Sequence, residues 1–283
     1  MSPKISLVTV SFNQSAFLEE AIKSVIDQGY PDLEYIVVDP GSSDGSRRII
    51  ERYRHQIDHV VYEPDEGPAE GLNNGFRHAD GDLLGFLNAD DYLMPGCLHA
   101  VAAAFRHHQE ADVIAGHGWI VDVHGRLVRK RYSDRFCAWS YLHRGAYLLQ
   151  PSTFFRRSAF QRVRGFNEGN HTCWDGELWL EMALAGCRFM VVNGDWSRFR
   201  IYEGTVSEQI ATKGDAARAY EWDRQRMFRQ VMGREPSGLR YRCHWAMAQA
   251  LKYGANPRAL RSRYHALRHR IRRRLSVELA TSG

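Results

Sequence analysis

Short apolar runs alternate with amphipathic stretches along the first part of the chain. Runs rich in β-branched or other apolar residues predict four strands, at Ile5–Val10, Glu34–Asp39, His59–Tyr62 and Leu83–Leu87. Between the first two strands, apolar residues recur at helical spacing, at Leu18, Ala21, Ile22, Val25 and Ile26. Strands that alternate with helices in this way predict βαβ units and a mostly parallel α/β sheet.

The pattern changes after Ala111, where the strands become less regular. Further strands are predicted at Val113–Ala115, Trp119–Val123, Leu127–Lys130, Gln150–Phe155 and Phe189–Val192, with a hairpin turn at His124-Gly125. Further helices are predicted at 46–53, from Pro68, from Pro95, at 158–163 and 175–185, and then at 213–232, 237–253 and 257–275. The chain therefore changes from α/β to helical near residue 211.

Polar residues stand at or just after the ends of three of the predicted strands. They are Ser11, Asp39 and Asp90. The carboxyl ends of parallel strands meet at one edge of a sheet, where open α/β sheets bind their ligands. The sequence therefore predicts a single site that is built from distant positions.

The stretch LLGFLNADDYLMP, at Leu83–Pro95, places two adjacent carboxylates directly after a buried strand. An isolated ionised carboxylate is very costly to bury, so Asp90 and Asp91 require a partner. Magnesium and manganese prefer carboxylate oxygen and usually also hold substrate phosphates. A divalent cation is thus the expected partner, although a solvated turn before the next helix would show the same residue pattern.

Composition limits the class of protein. The chain has 283 residues, of which 44% are hydrophobic and 25% charged, and its net charge is +5. These values are typical of a globular protein with a substantial core. No segment approaches the roughly 18–20 apolar residues of a membrane-spanning helix, and no signal peptide precedes Ile5. Five scattered cysteines without a CxxC pair favour a reducing, cytoplasmic location over a disulfide framework or a zinc site.

Six segments, in one order, resemble the family 2 glycosyltransferases. They are VTVSFNQSAFLEEAIKSVIDQGYPDLEYIVVDPGSSDGS, DEGPAEGLNNGF, GDLLGFLNADDYLMPG, QPSTFFRR, GFNE and WDGELWL. The resemblance covers about Ile5 to Val192. It implies the GT-A fold, which is Rossmann-like, with a mostly parallel central sheet flanked by helices. It also implies an inverting enzyme that moves a sugar from a nucleotide-sugar to an acceptor hydroxyl, in cell-surface polysaccharide or glycoconjugate synthesis.

The resemblance also implies a division of the chain. Residues 1–210 correspond to the GT-A domain, with a nucleotide-binding half at about 1–115 and an acceptor half at about 116–210. Residues 211–283, which the resemblance does not cover, are predicted to be a helical C-terminal extension. The expected partners are a nucleotide-sugar, with UDP as the first choice of nucleotide, and a saccharide or lipid-linked acceptor.

The roles of individual residues carry over from the family by position. Nucleotide binding is assigned to Val10, Ser11, Asn13, Asp39, Asp44, Asn88 and Ala89. The metal, Mn²⁺ or Mg²⁺, falls on Asp90 and Asp91. Contacts with the donor sugar are assigned to Asp65, Glu66, Asn73 and Asn74, and contacts with the acceptor to Gln150 and Trp174.

Two features depart from the usual family pattern. Asn88 stands where the family's DxD motif begins with an aspartate, which removes one negative charge near the metal. Pro40 stands where relatives often have glycine, which leaves the conformation of the loop after Asp39 open.

The catalytic base is expected in WDGELWL. Asp175 matches the family's base position, and Glu177 is the alternative. Both acids also suit a helix N-terminus, where the helix dipole favours negative charge. The sequence leaves the choice between them open.

Three other functions are considered. A nucleotidyltransferase would place a glycine-rich loop with a basic residue after the first strand, whereas this chain has SFNQSAF. A non-catalytic nucleotide-sugar-binding relative is compatible with Asn88. A nucleic-acid binder would show a basic and aromatic reading motif, which is missing, so nucleic acid is not an expected partner.

The C-terminal tail combines an apolar stripe with strong positive charge. Eight arginines lie between Arg258 and Arg274, and the stripe comprises Leu260, Tyr264, Leu267, Ile271 and Leu275. Such a helix can lie on an anionic membrane surface, which would place the protein peripherally on the inner face of the membrane. Packing on the catalytic domain, or on a second subunit in a homodimer, explains the stripe equally well.

Overall fold

A computed structural model describes residues 2–212 and 214–255. Within these residues, nine strands form one sheet. They are β1 (Ile5–Val10), β2 (Leu33–Val38), β3 (His59–Val61), β4 (Leu83–Asn88), β5 (Tyr92–Leu93), β6 (Val113–Val121), β7 (Leu127–Arg131), β8 (Thr153–Arg156) and β9 (Phe189–Arg200).

Ten α-helices accompany the sheet in the same described ranges. They are α1 (Leu18–Ile26), α2 (Ser46–Arg52), α3 (Pro68–Phe76), α4 (Cys97–His107), α5 (Ala138–Leu142), α6 (Arg157–Phe160), α7 (Trp174–Leu184), α8 (Val206–Ala211), α9 (Asp215–Met232) and α10 (Gly238–Ala255). Short 3₁₀ turns occupy Arg54–Gln56 and Gln150–Ser152.

The sheet has the strand order β3-β2-β1-β4-β8-β6-β9-β5, and β7 pairs with β6. The first four strands in this order are parallel to one another. The second half is mixed, because β6 pairs in parallel with β9 but in antiparallel fashion with β7 and β8. This arrangement confirms the predicted α/β fold class, with the carboxyl ends of β1, β2 and β4 at one edge.

Both faces of the sheet are covered. Alternate residues of β1 point to opposite faces, so Val8 packs with α3 and α7 whereas Leu7 packs with α1 and α4. Both residues are fully buried. Strands buried on both faces read as continuous apolar runs, which explains why the sequence pattern of these strands is so clear.

Helix α3 lies unusually close to the sheet. A Cβ atom on Gly75 would come within 2.5 Å of Val8 Cγ1 and 2.9 Å of Val38 Cγ2. Only glycine fits this contact without displacing the strands. Helix α3 therefore packs directly on β1 and β2, and the loop before it carries Asp65 and Glu66.

Helix α9, which begins the predicted extension, shares the core of the preceding residues. Its Met227 and Phe228 are buried in the same apolar cluster as Trp179 of α7 and Tyr141 of α5. Helix α10 is attached by Lys252, whose Nζ lies 2.8 Å from Asp134 Oδ2.

Three predicted strand boundaries were wrong. The two strands expected at Val113–Ala115 and Trp119–Val123 are the single strand β6, which passes through irregular pairing near His117. The segment Gln150–Ser152 is a 3₁₀ turn that precedes β8 rather than its first residues. Strand β9 continues to Arg200 instead of ending at Val192, because it pairs with β6 along its length.

The helices predicted at 213–232 and 237–253 correspond to α9 and α10. The basic helix predicted at 257–275 lies outside the described residues. Among those described, no helix is long and apolar enough to cross a membrane.

Candidate active site

A cleft of about 490 Å³ opens at the carboxyl ends of β1 and β4. The N-terminal turn of α7 and the segment after β9 complete its walls. Ten of the residues predicted from the sequence line it, namely Val10, Ser11, Asp65, Glu66, Asn88, Ala89, Asp90, Gln150, Trp174 and Asp175. The structure therefore brings nucleotide, metal, sugar, acceptor and base candidates into one cavity.

Asp39 lies behind the rim of the cleft and is fully buried. Its Oδ1 accepts hydrogen bonds from the main chain of Gly41 and Ser42 and from Arg47 Nε, at 2.8–3.2 Å. Its Oδ2 and the buried Ser11 Oγ have no hydrogen-bond partner among the described residues. Buried polar atoms are nearly always paired, so these two acceptor atoms are suited to donors of a bound molecule.

Asp44 and Asn13 join the loops after β1 and β2 rather than lining the cleft. Asp44 accepts hydrogen bonds from the main chain of Ser15 at 2.8 Å and of Ser46 at 3.0 Å. Burial opposes ionisation of Asp44, but these hydrogen bonds lower its pKa to about 2. Asn13 accepts from the Ser43 main chain at 3.0 Å.

Asp90 and Asp91 occupy the turn after β4. Asp90 lines the cleft, and burial raises its pKa despite the opposing charge of Arg200. Asp91 is buried beneath it, where burial and the charge of Asp90 raise its pKa well above the usual range. Asp91 Oδ1 accepts from the Arg200 main chain at 2.8 Å, while its Oδ2 has no partner among the described residues.

This donor set fits a divalent cation whose coordination is only partly supplied by protein. No group of three His, Cys, Asp or Glu side chains in residues 2–212 and 214–255 is arranged to hold a metal ion. Magnesium commonly binds through one or two carboxylates and takes its other ligands from phosphates and water. Asp90, supported by Asp91, matches that mode of binding.

Arg200 and Tyr202 belong to the site but were missed by the sequence analysis. Arg200 is buried at the end of β9, where its Nε donates to the Asp90 carbonyl at 2.9 Å and a terminal nitrogen to Glu20 at 2.6 Å. Tyr202 Oη donates to Gln14 Oε1 at 3.2 Å. Alternating polar and apolar residues in WSRFR are a signal for a strand here, but the predicted strand ended at Val192, before the polar stretch that separates the two.

The donor-sugar candidates separate into two pairs. Asp65 and Glu66 line the cleft, and burial raises the pKa of Asp65 to about 6. Asn73 instead holds the chain after α6, donating to the Phe166 carbonyl and accepting from its N–H, both at 2.9 Å. Asn74 is buried and accepts from Arg77. Neither asparagine lines the cleft.

The acceptor candidates and Asp175 come from the later part of the chain, from residue 150 onward. Gln150 Nε2 donates to the Phe86 carbonyl at 2.7 Å, and its Oε1 lies 3.4 Å from Asn88 Nδ2. Trp174 is largely buried, and its Nε1 has no partner among the described residues. Burial raises the pKa of Asp175, whose Oδ1 accepts from the Gly176 main chain at 2.7 Å.

Glu177 has a different environment from Asp175. Both of its carboxylate oxygens accept from Arg226 at 2.7 Å, and the side chains of Asn167 and Asn170 donate to it at 3.1 and 2.6 Å. Burial disfavours the charged form, but these donors lower the pKa of Glu177 overall. It does not line the cleft.

The sequence model of the family described as "Glycosyl transferase family 2" matches residues 6–173, more than half of the chain. This chain belongs to glycosyl transferase family 2. The match ends two residues before Asp175. The nucleotide half of the cleft thus lies within the family match, whereas α7 and everything after it lie beyond it.

A relative of this chain comes from Campylobacter jejuni subsp. jejuni serotype O:2. It is the GalNAc(5)-diNAcBac-PP-undecaprenol beta-1,3-glucosyltransferase, 37% identical over 100 residues that make up 34% of this chain and 32% of the relative. The matches to this relative and to two other curated relatives span 32% to 40% of the relatives' lengths.

Solved structures show the same fold as this family 2 chain. S. aureus TarS (residues 1–349) aligns with a TM-score of 0.61 and 19% identity, covering 90% of this chain and 73% of that one. The mannosyltransferase PcManGT from Pyrobaculum calidifontis, in complex with GDP-Man and Mn²⁺, aligns with a TM-score of 0.62 and 18% identity. That alignment covers 100% of this chain and 80% of PcManGT. The two neighbours support the GT-A architecture.

Proposed function

We propose that this protein is an inverting glycosyltransferase that moves a sugar from a nucleotide-sugar to an acceptor hydroxyl. One observation carries the proposal: a single cleft contains a half-buried carboxylate after β4, Asp90, and a second half-buried carboxylate in the first turn of α7, Asp175. The first suits a metal and diphosphate, and the second suits proton abstraction. Family membership supports the same assignment.

The nucleotide is expected to bind along the ends of β1 and β2. Asp39 Oδ2 is free to accept from a nucleobase N–H, and Ser11 Oγ is free to contact the base or the ribose. Asn13 and Asp44 act indirectly in this proposal, because they hold the two loops that frame the nucleotide. Asn88 and Ala89 lie between the nucleotide and the metal, and Asp65 and Glu66 face the donor sugar.

A divalent cation, Mn²⁺ or Mg²⁺, would be held by Asp90 with support from Asp91. When bound, it supplies Lewis-acid stabilisation of the negative charge that develops on the leaving diphosphate. Arg200 orients both acidic residues through its main chain and its guanidinium.

Asp175 is the proposed general base. It takes the proton from the acceptor hydroxyl while the hydroxyl oxygen bonds to the anomeric carbon and the bond from that carbon to the phosphate oxygen breaks. The electron pair of the broken bond leaves with the nucleoside diphosphate. A single displacement of this kind inverts the anomeric centre. Glu177 is a weaker candidate, because all of its acceptor capacity faces Arg226 and two asparagines.

The donor and acceptor classes are proposed from the relatives. TarS has been crystallised with UDP and with UDP-GlcNAc, and PcManGT with GDP-Man. We favour a UDP-sugar as donor. The Campylobacter relative is named for an undecaprenol-linked saccharide. A saccharide or lipid-linked acceptor, in polysaccharide or glycoconjugate synthesis, is therefore proposed here, with Gln150 and Trp174 beside it.

A cytoplasmic protein bound peripherally to the inner membrane face would suit a lipid-linked acceptor. Helix α10 supports this location, because its outer side exposes Leu239, Met247 and Leu251, which are 76%, 55% and 59% accessible. The helix sequence contains Arg240, Arg242 and no acidic residue. Apolar residues bordered by arginines are typical of a surface that contacts anionic lipid.

A thermal-shift screen tests the donor assignment. UDP-, GDP- and dTDP-sugars are added with and without Mn²⁺, and stabilisation grows with the ratio of ligand concentration to Kd. We expect one nucleotide class to raise Tm only when Mn²⁺ is present. Release of nucleoside diphosphate in the same samples distinguishes an enzyme from a non-catalytic binding relative. A rise in Tm with a nucleoside triphosphate, together with release of pyrophosphate, would instead indicate a nucleotidyltransferase.

A further inference from the structure

Helix α9 contacts the catalytic turn through a bidentate ion pair. Arg226 of α9 donates from two nitrogens to the two oxygens of Glu177, each at 2.7 Å. Both side chains are largely buried, with 17% and 6% of their surface accessible. Glu177 lies two residues after Asp175 on α7. The ion pair therefore connects the first turn of α7 to a helix 49 residues further along the chain.

The same glutamate organises the loop that leads into α7. Asn167 and Asn170 donate to Glu177, and Asn170 Oδ1 accepts from the main chain of Thr172 and Cys173 at 3.1 and 2.9 Å. Asn170 is completely buried. The loop thus depends on Glu177 for its conformation, and Glu177 depends on Arg226 for its charge balance.

A second contact joins α9 directly to the wall of the cleft. Thr172, which lines the cleft, donates from Oγ1 to Asp223 Oδ2 at 2.7 Å. Asp223 is itself held by Arg226 at 3.1 Å. One buried network therefore comprises Asp223, Arg226 and Glu177. It contacts the chain before Asp175, at Thr172, and the chain after it, at Glu177.

A third contact, through Tyr141, supports the first turn of α7. Arg224 of α9 lies with its guanidinium carbon 4.0 Å from the centre of the Tyr141 ring and donates to the Tyr141 carbonyl. Tyr141 Oη in turn abuts Gly176, where any Cβ atom would clash with it. The residue directly after Asp175 is therefore fixed in place by a tyrosine that α9 holds.

We propose that α9 positions the catalytic base: through Arg226, Asp223 and Arg224 it fixes the loop and helix turn that present Asp175 to the acceptor. The inference rests on the proposed function and extends it to residues beyond the family match, which ends at residue 173. Arg226 is a positioning residue, since it does not line the cleft.

The physical reason for such a device is the sensitivity of proton transfer to geometry. A displacement of about 1 Å in a catalytic group can cost about 100-fold in rate. Removing Arg226 would leave Glu177 and Asp223 as buried carboxylates without an ion-pair partner, which is strongly unfavourable. The first turn of α7 would then shift to expose Glu177, and Asp175 would move with it.

The test compares Arg226→Gln with the matched control Arg229→Gln. Arg229 lies on the same helix and pairs with Glu235, but both partners of that pair are exposed. Titration with UDP and Mn²⁺ counts functional binding sites, and turnover is expressed per site. For Arg226→Gln we expect at least a 10-fold loss of kcat with a donor Kd within 2-fold of wild type, and for Arg229→Gln no change in either.

The pH dependence of kcat, at saturating donor, separates positioning from simple loss of stability. The titratable groups that interact electrostatically with Asp175 are Tyr141, Tyr147, Cys173 and Tyr220, whose pKa values are all raised by burial, with Arg224 behind them. They stay in one state across the acidic range. Asp65 and Asp90 titrate in both proteins alike, so a difference in the acid limb between Arg226→Gln and wild type reports Asp175. Loosening the turn admits water to Asp175, and we expect the acid limb of Arg226→Gln to move to lower pH.

The double variant Glu177→Gln/Arg226→Gln guards against a variant that fails to fold, because it removes the buried charge of Glu177 together with its partner, while Asp223 keeps the hydrogen bond from Thr172. We expect it to keep the reduced kcat and the shifted limb. Wild-type kcat and an unmoved limb in the double variant would overturn the positioning role. Failure of the proposed function itself would look different, since wild type would then show no transfer and Asp175→Asn would match it.

Discussion

The main-chain N–H of Arg200 donates to Asp91 Oδ1 over 2.8 Å, across 109 positions in the sequence. The Arg200 guanidinium also donates to the Asp90 carbonyl and to the carbonyls of Asp122 and Val123. One residue at the end of β9 therefore fixes the acidic turn after β4. This side of the cleft thus depends on both halves of the sheet.

Arg200→Lys tests this relationship. Lysine keeps the charge but lacks the guanidinium fork that contacts several carbonyls, so the acidic turn should lose its orientation. Residues that orient metal ligands typically contribute about 10–100-fold in metal affinity or activity. We expect a loss of that size in Mn²⁺ affinity in the presence of UDP. Arg198→Lys, on the same strand but outside the cleft, is the control and should behave as wild type.

Asp90→Ala tests the metal assignment. The donor diphosphate would lose the counter-charge that Asp90 recruits, so we expect the loss of Mn²⁺-dependent donor binding and of nearly all turnover. Calorimetry with UDP, with and without Mn²⁺, measures the first effect and product release the second. Full turnover of wild type in excess chelator would contradict the assignment.

Asp175→Asn tests the base. The substitution preserves shape and removes basicity, and we expect transfer to fall by about 10²- to 10⁴-fold with donor affinity unchanged. Glu177→Gln should have a smaller effect on rate and a larger effect on Tm, because it weakens the pairing with Arg226. If Glu177→Gln is instead the catalytically inactive variant, the roles of the two acids are reversed.

The pH dependence of donor binding tests Asp65. Burial raises its pKa from 3.8 to about 6, so it is ionised above about pH 6 and becomes protonated as the pH falls. An ionised carboxylate accepts hydrogen bonds from sugar hydroxyls better than a protonated one. We expect the donor KM to rise as the pH falls through 6. In Asp65→Asn this dependence should disappear, whereas the exposed Glu63→Gln should retain it.

Vesicle sedimentation tests the membrane assignment. Each basic residue near an anionic surface contributes on the order of 1 kcal/mol, and salt screens the attraction. We expect binding to anionic but not neutral vesicles at low salt, and much weaker binding by a chain that ends at Asn256. Equal binding of the two chains would assign any lipid contact to α10 alone, and no preference for anionic lipid would contradict the assignment.

The nucleotide half of the fold was predictable because its signals are local. Strands β1, β2 and β4 are buried on both faces and read as unbroken apolar runs, each followed by a polar residue at the rim. The parallel order then placed Ser11, Asp39 and Asp90 together. The metal candidates followed from these positions, and the nucleotide candidates from the resemblance to family 2.

The acceptor half was less predictable because its contacts are distant in sequence. Asn193, Gly194 and Asp195 interrupt the apolar pattern of β9, and only pairing with β6 carries the strand on to Arg200. Likewise, nothing near WDGELWL shows that Glu177 is paired, since its partner lies on α9. A sequence pattern records which face of an element is buried but not which charged residue it meets.

The dependence of Asp91 on Arg200 has a consequence for how the protein is made. A nascent chain that has left the ribosome only as far as α4 already contains the Asp90–Asp91 turn but none of the donors that β9 supplies to it. We expect such a chain to bind neither the divalent cation nor the nucleotide-sugar. Strand β9 must emerge and join the sheet first, so ligand capture is delayed until most of the polypeptide has been synthesised.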